Sequence, residues 1–360
     1  MLLLRPAFRP LRRGFLPLRT FASSRPPPPP PFPTVATCPA PTCSCADTPP
    51  PLEGLEIDHV GKLNGVMSPY AEQVLVCTGR DDWPSRIEED DSGDNLAADL
   101  KELFGRGGEF RDPFHNVSIL NASFPSSVPR HRTELQTTSA YLLPSFKYVP
   151  FLPRVSFDSV RALAAGFLLP EKLHPMHDGL SPIHRDRLLR KPGLQGLLYG
   201  VRDVEEIMVL ICGHGGRDAR CGQYGPLLRG EFERLLPEFG VQVLTEAVEV
   251  EADVSGPNVL EDGRQQQQQE MTTSGGVSAR VGLISHIGGH KFAGNVIVYI
   301  PPKMRLADSG EHPLAGRGIW LGRVEPRHVE GIITETILKG AVIADMFRGG
   351  IDRDRSVLRM

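Results

Sequence analysis

Two cysteines that bracket a glycine-rich segment constrain this chain more than any other feature of its sequence. Cys212 ends an apolar, strand-like run, and Cys221 follows after eight residues that include three glycines. A segment so rich in glycine can fold back on itself and bring both sulfur atoms to one centre. Arg217 and Arg220 lie between the two cysteines, and nearby positive charge favours the thiolate form that metals require. The segment therefore predicts a pair of metal-binding thiolates.

Two histidines form a second group of candidate ligands. His286 and His290 flank Gly288 and Gly289 in a short segment between two strand-like runs. A single histidine is commonly a hydrogen-bonded core residue, but two histidines around a pair of glycines are harder to explain by packing. We therefore expect both side chains to bind the same centre as the cysteines.

Two cysteines and two histidines suit two kinds of metal centre. By donor type alone, a structural zinc ion and a [2Fe–2S] cluster fit equally well. Zinc knuckles usually place about two to four residues between their cysteines. The longer spacing between Cys212 and Cys221 therefore favours the cluster. A plain thioredoxin-like thiol enzyme is a third interpretation, although the part of the sequence that we expect to fold contains no C-x-x-C motif.

The elements predicted around these motifs indicate an α/β fold. Apolar periodicity predicts a β-α-β unit, then a β-hairpin and a closing helix, which is the thioredoxin-like order. This order of elements predicts a thioredoxin-like domain over residues 196–350. Its predicted strands cover 206–212, 241–244, 281–285, 294–299 and 318–322; its glycine-rich loop covers 213–225; its helices cover 226–239 and 326–347; and a surface insertion covers 252–278.

Residues 54–195 are expected to form a smaller α/β region ahead of that domain. A short buried strand is predicted at residues 74–77 and a helix at 95–104. The residues around Cys77 echo those around Cys212, since a run of Leu-Val or Leu-Ile precedes each cysteine and an Arg-Asp pair follows it. The echo fits a degenerate thioredoxin-like copy, and it fits chance equally well.

The N-terminus has the composition of a targeting sequence. Residues 1–25 contain six arginines and no acidic residue, which predicts a mitochondrial transit peptide and import into the matrix. Residues 26–53 are rich in proline and are expected to be a disordered, unpacked arm. The arm carries Cys38, Cys43 and Cys45. A mobile C-x-C pair at Cys43 and Cys45 could exchange disulfides as a thiol oxidoreductase or redox quality-control factor, or these cysteines could be incidental.

The overall composition limits the classes of partner. The 360 residues are 40% hydrophobic and carry a formal net charge of −3. This balance suits a globular protein and implies no strong attraction to nucleic acid or anionic membranes. No apolar run is long enough to span a bilayer. The electron donor and acceptor proteins of a redox protein of this kind cannot be read from the sequence.

At these residues the chain resembles the sucrase/ferredoxin-like proteins. The similarity covers roughly residues 55–350 and is most specific at 212–225, 285–297 and 320–349. It implies a thioredoxin-like ferredoxin fold in the C-terminal half and a [2Fe–2S] cluster held by Cys212, Cys221, His286 and His290. Such ferredoxins use a second cysteine pair where this chain has its two histidines. The implied function is one-electron transfer or redox sensing. No paired carboxylates of a sugar-cleaving site are evident.

Overall fold

The chain builds a mixed α/β structure around one large sheet. The computed structural model describes residues 29–91, 93–127, 137–249, 276–308 and 310–360. The strands in the described residues are β1 (Thr34–Val35), β2 (Glu72–Cys77), β3 (Val117–Ala122), β4 (Thr137–Leu143), β5 (Lys147–Pro153), β6 (Arg202–Asp203), β7 (Ile207–Cys212), β8 (Gln242–Val243), β9 (Ser278–Ile284), β10 (Val296–Tyr299), β11 (Gly318–Leu321), β12 (Val342–Ile343), β13 (Phe347–Ile351) and β14 (Val357–Leu358). The α/β class predicted from the sequence is confirmed.

Five α-helices accompany these strands in the described part of the chain. They are α1 (Leu96–Phe104), α2 (Asp158–Leu163), α3 (Pro182–Leu188), α4 (Ala219–Glu238) and α5 (Val329–Gly331). Two of them continue as wider π turns, α2 over Ala164–Leu168 and α5 over Ile332–Leu338. Short 3₁₀ turns cover Ile87–Glu89, Pro175–His177, Pro192–Leu197, His290–Phe292, Pro326–His328 and Ala344–Met346. None of the helices in the described residues is long and apolar enough to cross a membrane.

The same strand order occurs twice in the sheet. In the first half, β2 pairs in parallel with β3 and antiparallel with β4, which pairs antiparallel with β5. In the second half, β7, β9, β10 and β11 repeat this arrangement in the same chain order. The halves meet where β3 and β9 run antiparallel at Ala122 and Ile284. Each half thus has the thioredoxin-like order, and Cys77 occupies the place in β2 that Cys212 occupies in β7.

The central strands are apolar along their whole length because both faces of the sheet are covered. In β7, Ile207, Val209 and Ile211 belong to one core cluster. The alternate residues Met208, Leu210 and Cys212 belong to the other. Since successive side chains of a strand point to opposite faces, this strand is packed on both sides. A continuous apolar run is what such a strand requires.

Three predicted elements differ from the structure. The second strand of the β-α-β unit is β9, and residues 241–244 contribute only the two-residue β8 beside it. Helix α4 begins at Ala219, so the predicted loop over 213–225 is shorter than its glycine content suggested. The predicted helix over 326–347 ends at Leu338, where a left-handed glycine at 340 turns the chain into β12 and then β13.

The proline-rich arm is extended, as its composition predicts, but the described part from residue 29 is packed and not disordered. Strand β1 pairs in parallel with β12. Phe32 is buried and packs edge-on against Phe347, with 6.0 Å between ring centroids. Thr42 donates from its backbone and hydroxyl to the buried Glu330 at 2.8 and 2.6 Å. The body of the protein thus supplies hydrogen-bond partners for the backbone of the extended arm and an apolar surface that buries Phe32.

Two predicted features lie outside the described residues. The transit peptide at 1–25 falls within residues 1–28, and most of the insertion at 252–278 falls within 250–275. The boundary near residue 195 stays a prediction, because strands from both sides of it join one sheet.

Candidate metal centre

The end of β7 and the start of α4 position the two cysteines. Cys212 is the last residue of β7, and Cys221 lies in the first turn of α4; six residues separate the end of β7 from the start of α4. Asp218 caps this helix by accepting a hydrogen bond from the backbone N–H of Arg220 at 3.1 Å. The short connection and the cap fix the helix start beside the strand end. Both cysteines are buried, at 1% and 0% exposure.

The glycines of this segment are explained by close packing rather than by flexibility. A Cβ atom at Gly225 would collide with the backbone of Gly213, so glycine lets α4 lie directly against the end of β7. A Cβ atom at Gly216 would collide with the carbonyl oxygen of Trp83 in the first half of the chain. The segment is therefore held between α4 on one side and residues of the first half on the other.

The sheet order brings the histidine loop over Cys212. Strands β9 and β10 lie on opposite sides of β7, so the connection between them must cross the end of β7. At that crossing the backbone N–H of Cys212 donates to the carbonyl of Asn295 at 3.0 Å. The loop therefore places its first histidine next to the cysteines by topology alone.

Three of the four predicted ligands converge. One ligand atom each from Cys212, Cys221 and His286 lies within 4.8 Å of the others. The Nδ1 atom of His286 is buried and has no hydrogen-bond partner. His290 is exposed and lies outside this group, but its ring is beside that of His286, with 5.3 Å between centroids.

The two thiols do not titrate alike. The pKa of Cys212 is held well below its ordinary value, mainly because Cys221 donates a hydrogen bond to it and further because of His286 and the backbone N–H of Ile287. The pKa of Cys221 is raised by the same contact and by burial. One proton is thus shared by the pair, and Cys212 is the sulfur that is ready to bind as a thiolate.

The first half of the chain supports the histidine loop through His214, which the sequence analysis did not single out. The backbone N–H of His286 donates to Nδ1 of His214 at 3.0 Å. The Nε2 atom of His214 therefore carries the proton, and it donates to the carbonyls of Trp83 and Pro84 at 3.0 and 2.9 Å. Ser285 makes a second contact between the histidine loop and the first half of the chain, because its hydroxyl accepts a hydrogen bond from the backbone N–H of Asn121 in β3 at 3.0 Å.

Of the arginines predicted from the loop, Arg220 acts on the thiols by lowering the pKa of Cys221, and a further cation from outside the loop also lies near the site. Arg220 is paired with Asp218 at 2.9 Å, and Arg217 donates to the hydroxyl of Ser85 at 3.1 Å. Arg348 in β13 is fully buried instead, and the two thiols act on its pKa. Its only sequence signal is a charge between the apolar Phe347 and two glycines, in a region predicted to be the end of a helix.

The remaining cysteines lie apart from this group. Cys77 is buried at the end of β2, and burial raises its pKa. The Sγ atoms of Cys43 and Cys45 are 4.0 Å apart on the docked arm. The pKa of Cys43 is raised to about 11, first by burial and then by Glu330. Cys38 is half-buried, with its Sγ atom 3.6 Å from the carbonyl oxygen of His328.

The residues present fit a metal-containing group. Thiolate and imidazole are donors for zinc and for iron–sulfur clusters. A buried imidazole nitrogen without a hydrogen-bond partner is rare unless another group satisfies it. His286 Nδ1 is such an atom, and it belongs to the residue whose ring reaches the two cysteines.

Three relatives carry the name altered inheritance of mitochondria protein 32. The protein of Meyerozyma guilliermondii is 26% identical over 328 residues, which cover 88% of this chain and 95% of the relative. The protein of Debaryomyces hansenii is 26% identical over 301 residues, or 82% of this chain and 88% of the relative. The protein of Clavispora lusitaniae is 35% identical over 152 residues, or 42% and 38% of the two chains.

No solved structure shows a significant match. The model of the sucrase/ferredoxin-like family matches residues 63–349, a span that includes both halves of the sheet and all four candidate ligands. The chain therefore belongs to the sucrase/ferredoxin-like family.

Proposed function

We propose that this chain is a mitochondrial [2Fe–2S] protein that transfers single electrons or senses redox state. Cys212, Cys221, His286 and His290 would hold the cluster. The observation that carries the proposal is the convergence of ligand atoms from the first three residues within 4.8 Å, with a buried histidine nitrogen left unpartnered.

His290 completes the proposed ligand set. Its ring stands next to that of His286, and a two-glycine turn separates the two residues. Because the side chain is exposed, it can change rotamer when a ligand binds. It is also the ligand nearest to solvent, so the surface around His290 and Lys291 is where we expect a donor or acceptor protein to approach.

The ligand set suits a cluster that is readily reduced. When bound, a [2Fe–2S] cluster takes up and releases one electron. Two neutral imidazoles leave it less negative than four thiolates would, which favours the reduced state. Two-histidine ligation spans roughly −150 to +300 mV, against about −400 mV for plant-type ferredoxins.

A mitochondrial location is supported by two independent features. Residues 1–25 contain six arginines and no acidic residue. The relatives that match most of the chain are named for the inheritance of mitochondria. We infer import into the matrix from the first feature.

Thiol exchange through Cys43 and Cys45 is less well supported. The described arm is packed against the body through a strand pairing and hydrogen bonds, whereas disulfide exchange with client proteins calls for a free arm. A pKa of about 11 leaves the Cys43 thiol protonated at neutral pH, and the thiolate is the reactive form.

Metal analysis of the purified full-length protein tests the proposal. We expect a brown protein with about two irons and two acid-labile sulfides per chain. An electron paramagnetic resonance signal should appear after reduction by dithionite. A colourless protein with one stoichiometric zinc ion would contradict the cluster and identify a structural zinc site instead.

Replacing either histidine by cysteine tests the ligand assignment. His286→Cys and His290→Cys should each retain a cluster with a lower reduction potential, because a thiolate in place of a neutral imidazole would add negative charge to the site. Redox titration followed by absorbance measures the potential. A potential that is unchanged or higher than in the wild type would rule out the substituted histidine as a ligand.

A further inference from the structure

Arg348 is a buried cation without an acidic partner. Its side chain is 1% exposed in the middle of β13. Its guanidinium donates to two neutral acceptors, Asn295 Oδ1 at 2.6 Å and the carbonyl of Gly288 at 3.3 Å. Its Nε atom has no partner, and no carboxylate of the described residues lies within ion-pair distance. Such a charge is costly to bury unless something negative balances it.

The groups that can balance this charge are the two cysteines. Burial lowers the pKa of Arg348 to about 10, and the negative charge that the Cys212 and Cys221 pair carries acts in the opposite direction. The guanidinium therefore stays protonated at neutral pH. Its positive charge is fixed in the interior beneath the histidine loop, against Gly288 and Asn295, rather than at the surface.

The guanidinium is also held rigidly. It lies over the ring of Trp320, with 5.6 Å from its carbon to the ring centroid. The indole N–H of Trp320 donates to the hydroxyl of the buried Tyr70 at 3.1 Å, which fixes the ring. On the other side, a Cβ atom at Gly289 would come within 2.5 Å of the guanidinium nitrogen Nη2. The histidine loop thus rests directly on Arg348.

We propose that Arg348 is a positioning residue that supports the histidine loop and supplies the fixed positive charge that raises the reduction potential of the bound cluster. This inference rests on the proposed function. Two ferric ions, two sulfides, two thiolates and two neutral imidazoles sum to no net charge, and one added electron leaves the site negative. A buried cation stabilises that charge far more than a solvated one does, because water and salt screen it little.

The closest matched pair of variants is Arg348→Lys and Arg348→Met. Lysine and methionine have similar length and lose the same guanidinium contacts, so they differ mainly in charge. We expect the methionine variant to have a lower midpoint potential than the wild type, in dithionite titrations followed by absorbance. The lysine variant should recover most of the difference. Lys291→Met removes a charge from the same loop, but that side chain is 56% exposed, so it should shift the potential less.

Iron content is measured on the wild type and on every variant. This measurement distinguishes a failure of the proposed function from a failure of the proposed role of Arg348. A wild type without iron contradicts the proposed function and the role of Arg348 together. A loaded wild type and a loaded Arg348→Met variant with equal potentials overturn the role of Arg348 alone. Iron in the lysine variant but none in the methionine variant supports the need for the charge.

If neither Arg348 variant retains iron, the midpoint potential of an Asn295→Asp variant tests the role of the Arg348 charge instead. This substitution sets a carboxylate of nearly the same size on the guanidinium and cancels its charge, at the loss of the hydrogen bond that Asn295 Nδ2 donates to the carbonyl of Gly289. A potential no lower than that of the wild type would then overturn the inference, whereas a lower potential supports it.

Discussion

Replacing Gly289 by alanine should destabilise the protein more than the same change at its neighbour Gly288. Both glycines have a left-handed backbone, with φ of +73° and +81°. An alanine in this conformation costs about 1–2 kcal/mol. At Gly289 the new methyl group would also lie 2.5 Å from Nη2 and 2.8 Å from Cζ of Arg348. That side chain is fully buried and hydrogen-bonded, so it cannot swing away, and overpacking of this kind costs about 1–3 kcal/mol more.

The expected losses in free energy of unfolding are therefore about 2–5 kcal/mol for Gly289→Ala and about 1–2 kcal/mol for Gly288→Ala. Nothing lies within 4 Å of the position that a Cβ atom would take at Gly288, which makes this variant the matched control. Urea unfolding of both variants measures the difference, and iron content shows whether the loop still binds. Equal losses in the two variants would refute the contact between the histidine loop and Arg348.

Three further predictions concern the ligands, the arm and the N-terminus. Cys212→Ser or Cys221→Ser should remove the iron, whereas Cys77→Ser should keep it; iron loss in all three variants would show that the wrong thiols were chosen. The arm's hydrogen bonds hold the pKa of Glu330 at about 2, below its ordinary 4.5, so its contribution to stability is present above about pH 4.5 and is lost as the pH falls toward 2. Glu330→Gln should flatten that part of the pH profile in urea unfolding, and an unchanged slope would argue against this anchor. Residues 1–25 fused to a fluorescent reporter should direct it to mitochondria, and a cytosolic reporter would refute the targeting sequence.

The parts of the candidate centre that depend on neighbouring residues in the chain can be predicted from the sequence. Apolar runs predict β7 and β9, and the spacing of His286 and His290 predicts a tight turn, because these features depend on neighbours in the chain. The glycines of the cysteine segment mislead for a physical reason. Flexibility and close packing both select glycine, and only the approach of another backbone, as at Gly225, distinguishes them.

The parts that depend on distant contacts could not be predicted. Nothing in the sequence says that residue 348 lies beneath the loop at 288–289, since about sixty residues and two strand pairings separate them. His214 was likewise visible only as one member of a glycine-rich run, and its partners Trp83 and Pro84 belong to the other half of the chain. The docking of the arm depends on Glu330, which is far away in sequence.

The pairing of β3 with β9 joins the two halves of the chain into one hydrogen-bonded sheet. Ser285 and Asn121 exchange hydrogen bonds just beyond this pairing, so strand β3 forms part of the platform from which the histidine loop starts. Local unfolding spreads along such continuous hydrogen-bonded elements. A substitution that loosens β3 should therefore release the metal centre at a temperature below global unfolding, although no residue of that strand is a candidate ligand. Loss of the proposed cluster would then report damage that began in the first half of the chain, whose described residues include none of the candidate ligands.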